Sequence, residues 1–200
     1  MQHYFIETEH SAEDYFEFED SIAGLNLKFK SCDNIFSKDC IDEGTRTLID
    51  TVLKKVDLSG KGIDLGCGLG VIGIVVVKKL GLECDLVDVN GTAVELSRHN
   101  LMLNGARKGA SVIKSNGFDE VDGNYDFILT NPPIKTGKKL LFSLMEQSYE
   151  HLNINGTLTL VIRKSHGEES LKKHLTTIFG NCEILARNKG YYILHCKKQK

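Results

Sequence analysis

The chain contains two prolines, side by side in Asn131-Pro132-Pro133. They close the apolar run Tyr125-Asp126-Phe127-Ile128-Leu129-Thr130, which reads as a buried strand. Neither proline has an N–H, so the turn offers carbonyl oxygens and few competing donors. The Asn131 side-chain oxygen adds another acceptor. Such a turn suits holding an amino group by its hydrogens; read more simply, it is a rigid end to a strand.

A second group lies upstream. Asp64-Leu65-Gly66-Cys67-Gly68-Leu69-Gly70 follows an apolar run and opens a helical pattern. Glycines let the backbone pass close to a ligand, and the helix start adds partly positive N–H groups. Asp64 can accept from an ammonium. Asp88 ends the next strand, 24 residues later, where a carboxylate suits both hydroxyls of a ribose and repels a 2′-phosphate. Gly68-Leu69-Gly70-Val71-Ile72-Gly73 also matches GxGxxG, with Asp88 20 residues beyond Gly68. An NAD-dependent oxidoreductase therefore stays open, as does plain helix–strand packing without a ligand. Two features favour S-adenosylmethionine over NAD: Asp64 completes the pattern DxGxGxG, and the Asn-Pro-Pro turn closes a strand expected beside the glycine loop.

These groups meet only if a sheet brings their strand ends together. Strands are expected at Lys61–Leu65, Cys84–Val89, Ser111–Ser115, Tyr125–Thr130 and Thr157–Ile162. Helices are expected at Val71–Leu80, Thr92–Asn104, Lys138–Leu152 and Glu168–Phe179, preceded by one from about Asp42 with Leu48, Ile49, Val52, Leu53 and Val56 at amphipathic spacing. The alternation predicts an α/β fold, a doubly wound, mostly parallel seven-stranded sheet with helices on both faces. Cys182–Ala186 and Tyr191–Cys196, joined by Arg187-Asn188-Lys189-Gly190, end it with an antiparallel hairpin. Ligands of such sheets bind at the carboxyl edge, so the glycine loop and Asn131 should face one crevice. A further N-terminal hairpin is expected over Tyr15 to Phe29 around Ser21 to Gly24, with Phe16 and Phe18 on one face and Leu25, Leu27 and Phe29 on another.

Two hundred residues fit one domain, read here as a core over 42–200 and an N-terminal extension over 1–41. A composition 41% hydrophobic and 26% charged is that of a globular protein, with no apolar stretch of membrane-span length. The start lacks the pattern of a secretory leader, and six scattered cysteines without a CxxC pair fit reduced thiols, so the cytoplasm is the expected compartment. Seven histidines form no HxH or HExxH pair, and no metal is expected. A net charge of −2 argues against a strongly basic nucleic-acid binder. Its distribution still leaves basic groups at Lys135, Lys138-Lys139 and Arg163-Lys164, which fit either phosphate contacts or a solvated surface.

With these blocks in hand, the chain resembles class I S-adenosylmethionine-dependent methyltransferases, and more narrowly the small-subunit ribosomal RNA guanine-N2 methyltransferases in single-domain form. The likeness runs from about His3 to Cys196. Besides DLGCGLG, Asp88-Val89-Asn90 and NPPIKTGK, it includes the block from Phe36-Ser37-Lys38-Asp39 through Cys40-Ile41-Asp42-Glu43-Gly44-Thr45, and Lys189-Gly190-Tyr191-Tyr192-Ile193-Leu194. The resemblance implies that Asp64, Gly66, Gly68 and Gly70 hold the amino-acid portion of S-adenosylmethionine. It assigns the ribose to Asp88 with Val89 beside it, the adenine to Asn116 with Gly117, and a cover over the methionine end to Phe36. Asn131, Pro132, Pro133 and Ile134 would grip the acceptor amine, and Asn131 would also be among the cofactor-binding residues. Lys135, Lys138, Arg163 and Lys164 would contact ribosomal RNA or the small subunit. Related enzymes acting on adenine N6 or a protein glutamine carry an aromatic residue at the position of Ile134. Its absence here weakens those targets, which with tRNA and a non-catalytic RNA-binding module remain the alternatives.

Overall fold

The computed structural model describes residues 15–33, 35, 37–133 and 137–200. The N-terminal pair β1 (Tyr15–Ile22) and β2 (Leu25–Cys32) forms an antiparallel hairpin. Its turn is only Ala23-Gly24, both at positive φ (54° and 74°), the two-residue geometry whose twist matches that of paired strands. The turn is thus shorter than Ser21 to Gly24, and the register follows from it. Phe18 lies directly opposite Phe29, with ring centroids 5.2 Å apart, so Phe16 and Phe18 share one face with Leu25, Leu27 and Phe29 instead of lying on another.

The main sheet contains β3 (Lys61–Leu65), β4 (Glu83–Asp88), β5 (Ala110–Lys114), β6 (Tyr125–Thr130), β7 (Leu152–Arg163), β8 (Glu183–Asn188) and β9 (Tyr191–Lys197). Their order across the sheet is β5-β4-β3-β6-β7-β9-β8. The first five run parallel, and β9 is antiparallel to both β7 and β8, as the terminal hairpin spacing predicts. Chain order reverses between β3 and β6, and ligands of such sheets bind at the carboxyl ends of the strands where that reversal occurs.

Among the described residues, the α-helices that cover the sheet are α1 (Glu43–Lys55), α2 (Val71–Val75), α3 (Gly91–Leu103), α4 (Lys138–Glu150) and α5 (Glu168–Phe179). Leu48, Ile49 and Val52 of α1, Ile72 of α2 and Leu96 and Leu101 of α3 share one core with Phe127 and Leu129 of β6. Leu141 and Met145 of α4 and Leu171, Leu175 and Phe179 of α5 share the other with Ile128. Both faces of β6 are therefore buried, which explains why its sequence is a continuous apolar run rather than an alternating one. The hairpin joins the first of these cores through Leu27, Phe29 and Cys32.

Two helices differ from the sequence expectation. The segment expected to be one helix from Val71 to Leu80 is α-helical only to Val75 and continues as a π-helical turn over Val76–Leu80. α4 stops at Glu150 because Leu152 already opens β7, which is longer than the predicted Thr157–Ile162. A Cβ on Gly73 would lie 2.5 Å from Leu86 Cδ1, so α2 packs on β4 at a distance only glycine permits.

Candidate active site at the carboxyl edge of the sheet

The glycine loop leaves β3 as a left-handed series, with φ of 75° at Gly66, 54° at Gly68 and 82° at Gly70, a conformation that favours glycine. The three glycines face different surroundings. Among the described residues, a Cβ on Gly68 would meet nothing within 4 Å, and one on Gly66 would find only Pro133 Cδ, at 3.9 Å. A Cβ on Gly70 would press on Leu86 Cδ2 at 2.9 Å. Gly66 and Gly68 thus keep open space along the loop, while Gly70 starts α2 and lets it pack. The 3.9 Å approach also brings the glycine loop and the Asn-Pro-Pro turn into one crevice. Thr130 fastens the same edge, its hydroxyl donating to the Leu65 carbonyl at 2.7 Å.

Asp64 is fully buried behind the loop. Its Oδ2 accepts from the Gly73 N–H at 3.0 Å, and its Oδ1 has no hydrogen-bond partner among the described residues. Burial, against the lowering pull of the Gly73 N–H and with a smaller push from the Asp88 charge, holds its carboxyl up at about 7. A buried acceptor without a donor is costly, and a cationic ligand would relieve that cost. At the end of β4, Asp88 accepts from Gly68 N–H at 3.0 Å and Asn90 N–H at 2.9 Å, one on each carboxylate oxygen. Burial raises its carboxyl above the ordinary value, against the N–H bonds of Asn90, Gly68 and Val89. Both oxygens retain lone pairs for ribose hydroxyls. Open space at two glycines, an orphaned carboxylate oxygen and an acidic strand end together fit S-adenosylmethionine: an ammonium at one end of the loop and a ribose at the other.

Next along the edge, Ser115 follows β5 and donates its N–H to the Asp88 carbonyl at 3.0 Å. Asn116 is exposed and its amide donates to Asp119 Oδ2 at 3.1 Å, while Gly117 (φ 61°) packs against Gln147 and Leu144. Val89 is half-buried between Asp88 and the cap of α3. Pro132 is buried and Pro133 exposed. The predicted Phe36, Ile134 and Lys135 lie outside the described residues.

Asn131 has contacts that its sequence context did not suggest. Its Nδ2 lies 3.3 and 3.2 Å from Asp42 Oδ1 and Oδ2 and 3.0 Å from Thr45 Oγ1. Asp42 caps α1, accepting from the Gly44 and Thr45 N–H groups at 2.9 and 3.3 Å. The terminal hairpin braces that helix start. Asn188 Nδ2 donates to Glu43 Oε1 and Thr47 Oγ1 at 3.2 and 3.1 Å, and Lys189 pairs with Glu43 at 3.1 Å. A Cβ on Gly44 would meet Tyr191 Cε1 at 2.9 Å. The blocks around Asp42 and Lys189 are thus one contact, built from both ends of the fold.

The glycine loop has support from α3 that the motif itself does not reveal. Ser97 donates to the Gly68 carbonyl at 2.7 Å, and Asn100 donates to the Leu69 carbonyl at 3.1 Å. Both are wholly buried polar residues on a helix face that periodicity alone assigns to the core. That mismatch is the signal by which they were findable.

Of the predicted basic residues, Lys138 opens α4 and is exposed, as are Arg163 at the end of β7 and Lys164 just after it. A Cβ on Gly167 would lie 3.6 Å from Lys138 Cε, so the two segments adjoin. Arg163 donates to the Tyr191 hydroxyl at 2.7 Å and lies over its ring, 4.7 Å from the centroid. Among the described residues, no group of three or more His, Cys, Asp or Glu side chains is placed to hold a metal ion. No described helix is long and apolar enough to cross a membrane.

The family model for the methyltransferase small domain matches residues 26–195. An uncharacterised Bacillus subtilis protein, YbxB, is 38% identical over 176 residues, which cover 86% of this chain and 87% of that protein. Ribosomal RNA small subunit methyltransferase C of Vibrio cholerae is 32% identical over 183 residues, covering 88% of this chain and 51% of that protein. The chain thus spans about half the length of that relative. Among solved structures, T. thermophilus 16S rRNA N2 G1207 methyltransferase in complex with AdoMet and guanosine matches in fold with a TM-score of 0.83 at 20% identity, over 92% of this chain and 51% of that one.

Proposed function

Because the chain belongs to the methyltransferase small domain family, we propose that it methylates the exocyclic N2 amine of a guanine in small-subunit ribosomal RNA. Membership makes it an S-adenosylmethionine-dependent methyltransferase with a class I fold. One observation carries that reading: the acceptor-rich Asn-Pro-Pro turn stands against the glycine loop, with 3.9 Å between Pro133 and the Cβ position of Gly66. An amine held by the turn is thereby adjacent to a cofactor held by the loop. The relatives named as ribosomal RNA small subunit methyltransferase C support RNA as the substrate. The guanine amine is supported by Ile134, which lacks the aromatic ring of adenine- and glutamine-directed turns, and by the N2 chemistry named for the T. thermophilus fold neighbour.

When bound, S-adenosylmethionine supplies a methyl group made electrophilic by its sulfonium. Asp64 and the loop at Gly66, Gly68 and Gly70 bind its amino-acid end, Asp88 and Val89 the ribose, and Asn116 and Gly117 the adenine, with Phe36 as cover. The chain is read as one cytoplasmic methyltransferase domain, with residues 42–200 as its core and residues 1–41 as an extension that includes the β1–β2 hairpin. The guanine amine is a poor nucleophile because its lone pair is delocalised into the ring. The Asn131 oxygen and the Pro132 carbonyl each accept one of its hydrogens, which favours a more tetrahedral nitrogen with its lone pair aimed at the methyl. The same acceptors stabilise the positive charge that develops on nitrogen. No strong base is needed, because the proton of the product ammonium is acidic and passes to water. Ile134 presses on the base, and Lys135, Lys138, Arg163 and Lys164 hold phosphates around a nucleotide taken out of the stack.

Asn131→Ala tests this assignment. Turnover is expected to fall by about 100-fold or more, the scale of losing one preorganised polar contact to the transition state. Affinity for S-adenosylhomocysteine, measured by calorimetry, should stay nearly normal, within about twofold of wild type or roughly 0.4 kcal/mol. Undiminished turnover would remove the turn from the mechanism.

A further inference from the structure

The reading of Asn131 as the acceptor for the target amine, on which this inference rests, requires its oxygen rather than its NH2 to face the crevice. The two ends of an amide side chain are nearly equal in size, so packing does not choose between them; hydrogen bonding does. The carboxylate chooses here: Asp42 Oδ1 and Oδ2 lie 3.3 and 3.2 Å from the Asn131 nitrogen, while Thr45 Oγ1, at 3.0 Å, is a hydroxyl that suits either end. A carboxylate only accepts, so an amide oxygen turned toward it would face two lone-pair-bearing oxygens with no hydrogen between them.

We propose that Asp42 is a positioning residue for methyl transfer: its carboxylate anchors the Asn131 NH2 and so aims the Asn131 oxygen at the acceptor amine. The negative charge also polarises the amide, strengthening the opposite oxygen as an acceptor just where charge develops on nitrogen.

Asp42 is itself held firmly enough to do this. Its Oδ1 accepts from the Gly44 and Thr45 N–H groups at the start of α1. Arg46, one turn further on, donates to the Ser21 carbonyl at 2.7 Å and to the Ile41 carbonyl at 3.1 Å, and pairs with Asp20. Asp20 in turn accepts from the Ile41 N–H at 2.9 Å. The residue before Asp42 is therefore tied to the hairpin, and the residues after it to the helix. Capping alone does not call for a carboxylate, because Asn and Ser cap as well as Asp. What a carboxylate does, and an amide cannot, is accept with both oxygens at once.

That difference supplies the test. Asp42→Asn keeps the cap through its oxygen but puts an NH2 where Oδ2 stood, inviting Asn131 to turn its own oxygen inward and its NH2 to the crevice. Asn131→Asp faces one carboxylate with another. The double exchange restores a donor–acceptor pair and again leaves an oxygen directed at the amine. Methyl transfer from labelled S-adenosylmethionine to small ribosomal subunits, taken from cells lacking this protein, is followed for wild type, both single variants, the double variant and Asn131→Ala. Asp42→Asn should keep the thermal midpoint and S-adenosylhomocysteine affinity of wild type while losing at least tenfold in kcat. The double variant should recover at least fivefold over the slower single one, whereas a merely structural Asp42 gives no recovery.

Wild-type kcat in Asp42→Asn, or no recovery in the double variant, would overturn the proposal. If Asn131→Ala is inactive while Asp42→Asn is fully active, Asn131 keeps its role and only the anchoring by Asp42 is wrong. A fully active Asn131→Ala removes the acceptor reading and this inference with it.

Discussion

At Asp64, burial, against the lowering pull of the Gly73 N–H and with a smaller push from the neighbouring Asp88, holds the carboxyl up at about 7. The folded chain thus keeps a proton that the unfolded chain has already released in the same range. The stability this group contributes is full below its ordinary value near 3.8 and is lost as pH rises through about 7. An ammonium ligand acts in the opposite sense, because it binds the ionised form. S-adenosylhomocysteine should therefore bind wild type more weakly as pH falls below about 7. Asp64→Asn, which can still accept from Gly73, should flatten that pH dependence and lose about tenfold or more in affinity at pH 8, the scale of a charge-assisted hydrogen bond. Without ligand the variant should melt higher than wild type at pH 8 and close to it near pH 4. Calorimetry and thermal melts at the two pH values check both halves; a ligand affinity in wild type that ignores pH would detach Asp64 from the ammonium.

The N-terminal hairpin is bound to the core by side chains that imitate a strand. Asn100 accepts from the Lys30 N–H at 2.7 Å and donates to the Lys30 carbonyl at 3.1 Å. One helical turn later, Asn104 does the same for Lys28, at 3.0 and 2.7 Å. Two asparagines at i and i+4 on α3 thus satisfy the free edge of β2, and Asn100 reaches the glycine loop as well. Asn100→Ala would leave the Lys30 N–H and C=O and the Leu69 C=O without these partners. A cost of about 3 kcal/mol is expected from unpaired groups worth 1–3 kcal/mol each, together with weaker cofactor binding. Urea unfolding followed by both tryptophan-independent circular dichroism and ligand titration would check this, and a loss below about 0.5 kcal/mol would mean that the edge is satisfied otherwise.

This element is also where the sequence was least legible. Lys61–Leu65, Tyr125–Thr130 and Glu168–Phe179 match their predicted bounds because apolar period and flanking glycines agree there. The faces of β1 and β2 were misassigned because the pairing register hangs on a turn whose length alternation does not specify. The partnership of Asp42 with Asn131, separated by 89 positions, leaves no local trace. A capping Asp reads the same whether or not it holds a second residue.

Across the whole molecule, a net charge of −2 conceals an uneven edge. Lys138 and Lys139 at the start of α4 adjoin the turn after β7 that carries Arg163 and Lys164, on the side of the sheet where the crevice opens. Arg163 is engaged with Tyr191, which makes Lys138 and Lys164 the cleaner probes of RNA contact. Reversing both charges should weaken binding to a ribosomal RNA fragment and reduce the slope of log K against log salt by about 1 to 2, since each phosphate contact contributes nearly one unit. An unchanged slope would make these lysines part of a solvated surface.

The central claim joins this edge, the glycine loop and the Asn-Pro-Pro turn in one reaction. Its most direct test is methyl transfer from labelled S-adenosylmethionine to small ribosomal subunits from cells lacking the protein, followed by digestion to nucleosides and mass spectrometry. The account predicts label in N2-methylguanosine with wild type and none with Asn131→Ala. Label in another nucleoside, or none in RNA despite tight cofactor binding, would contradict it.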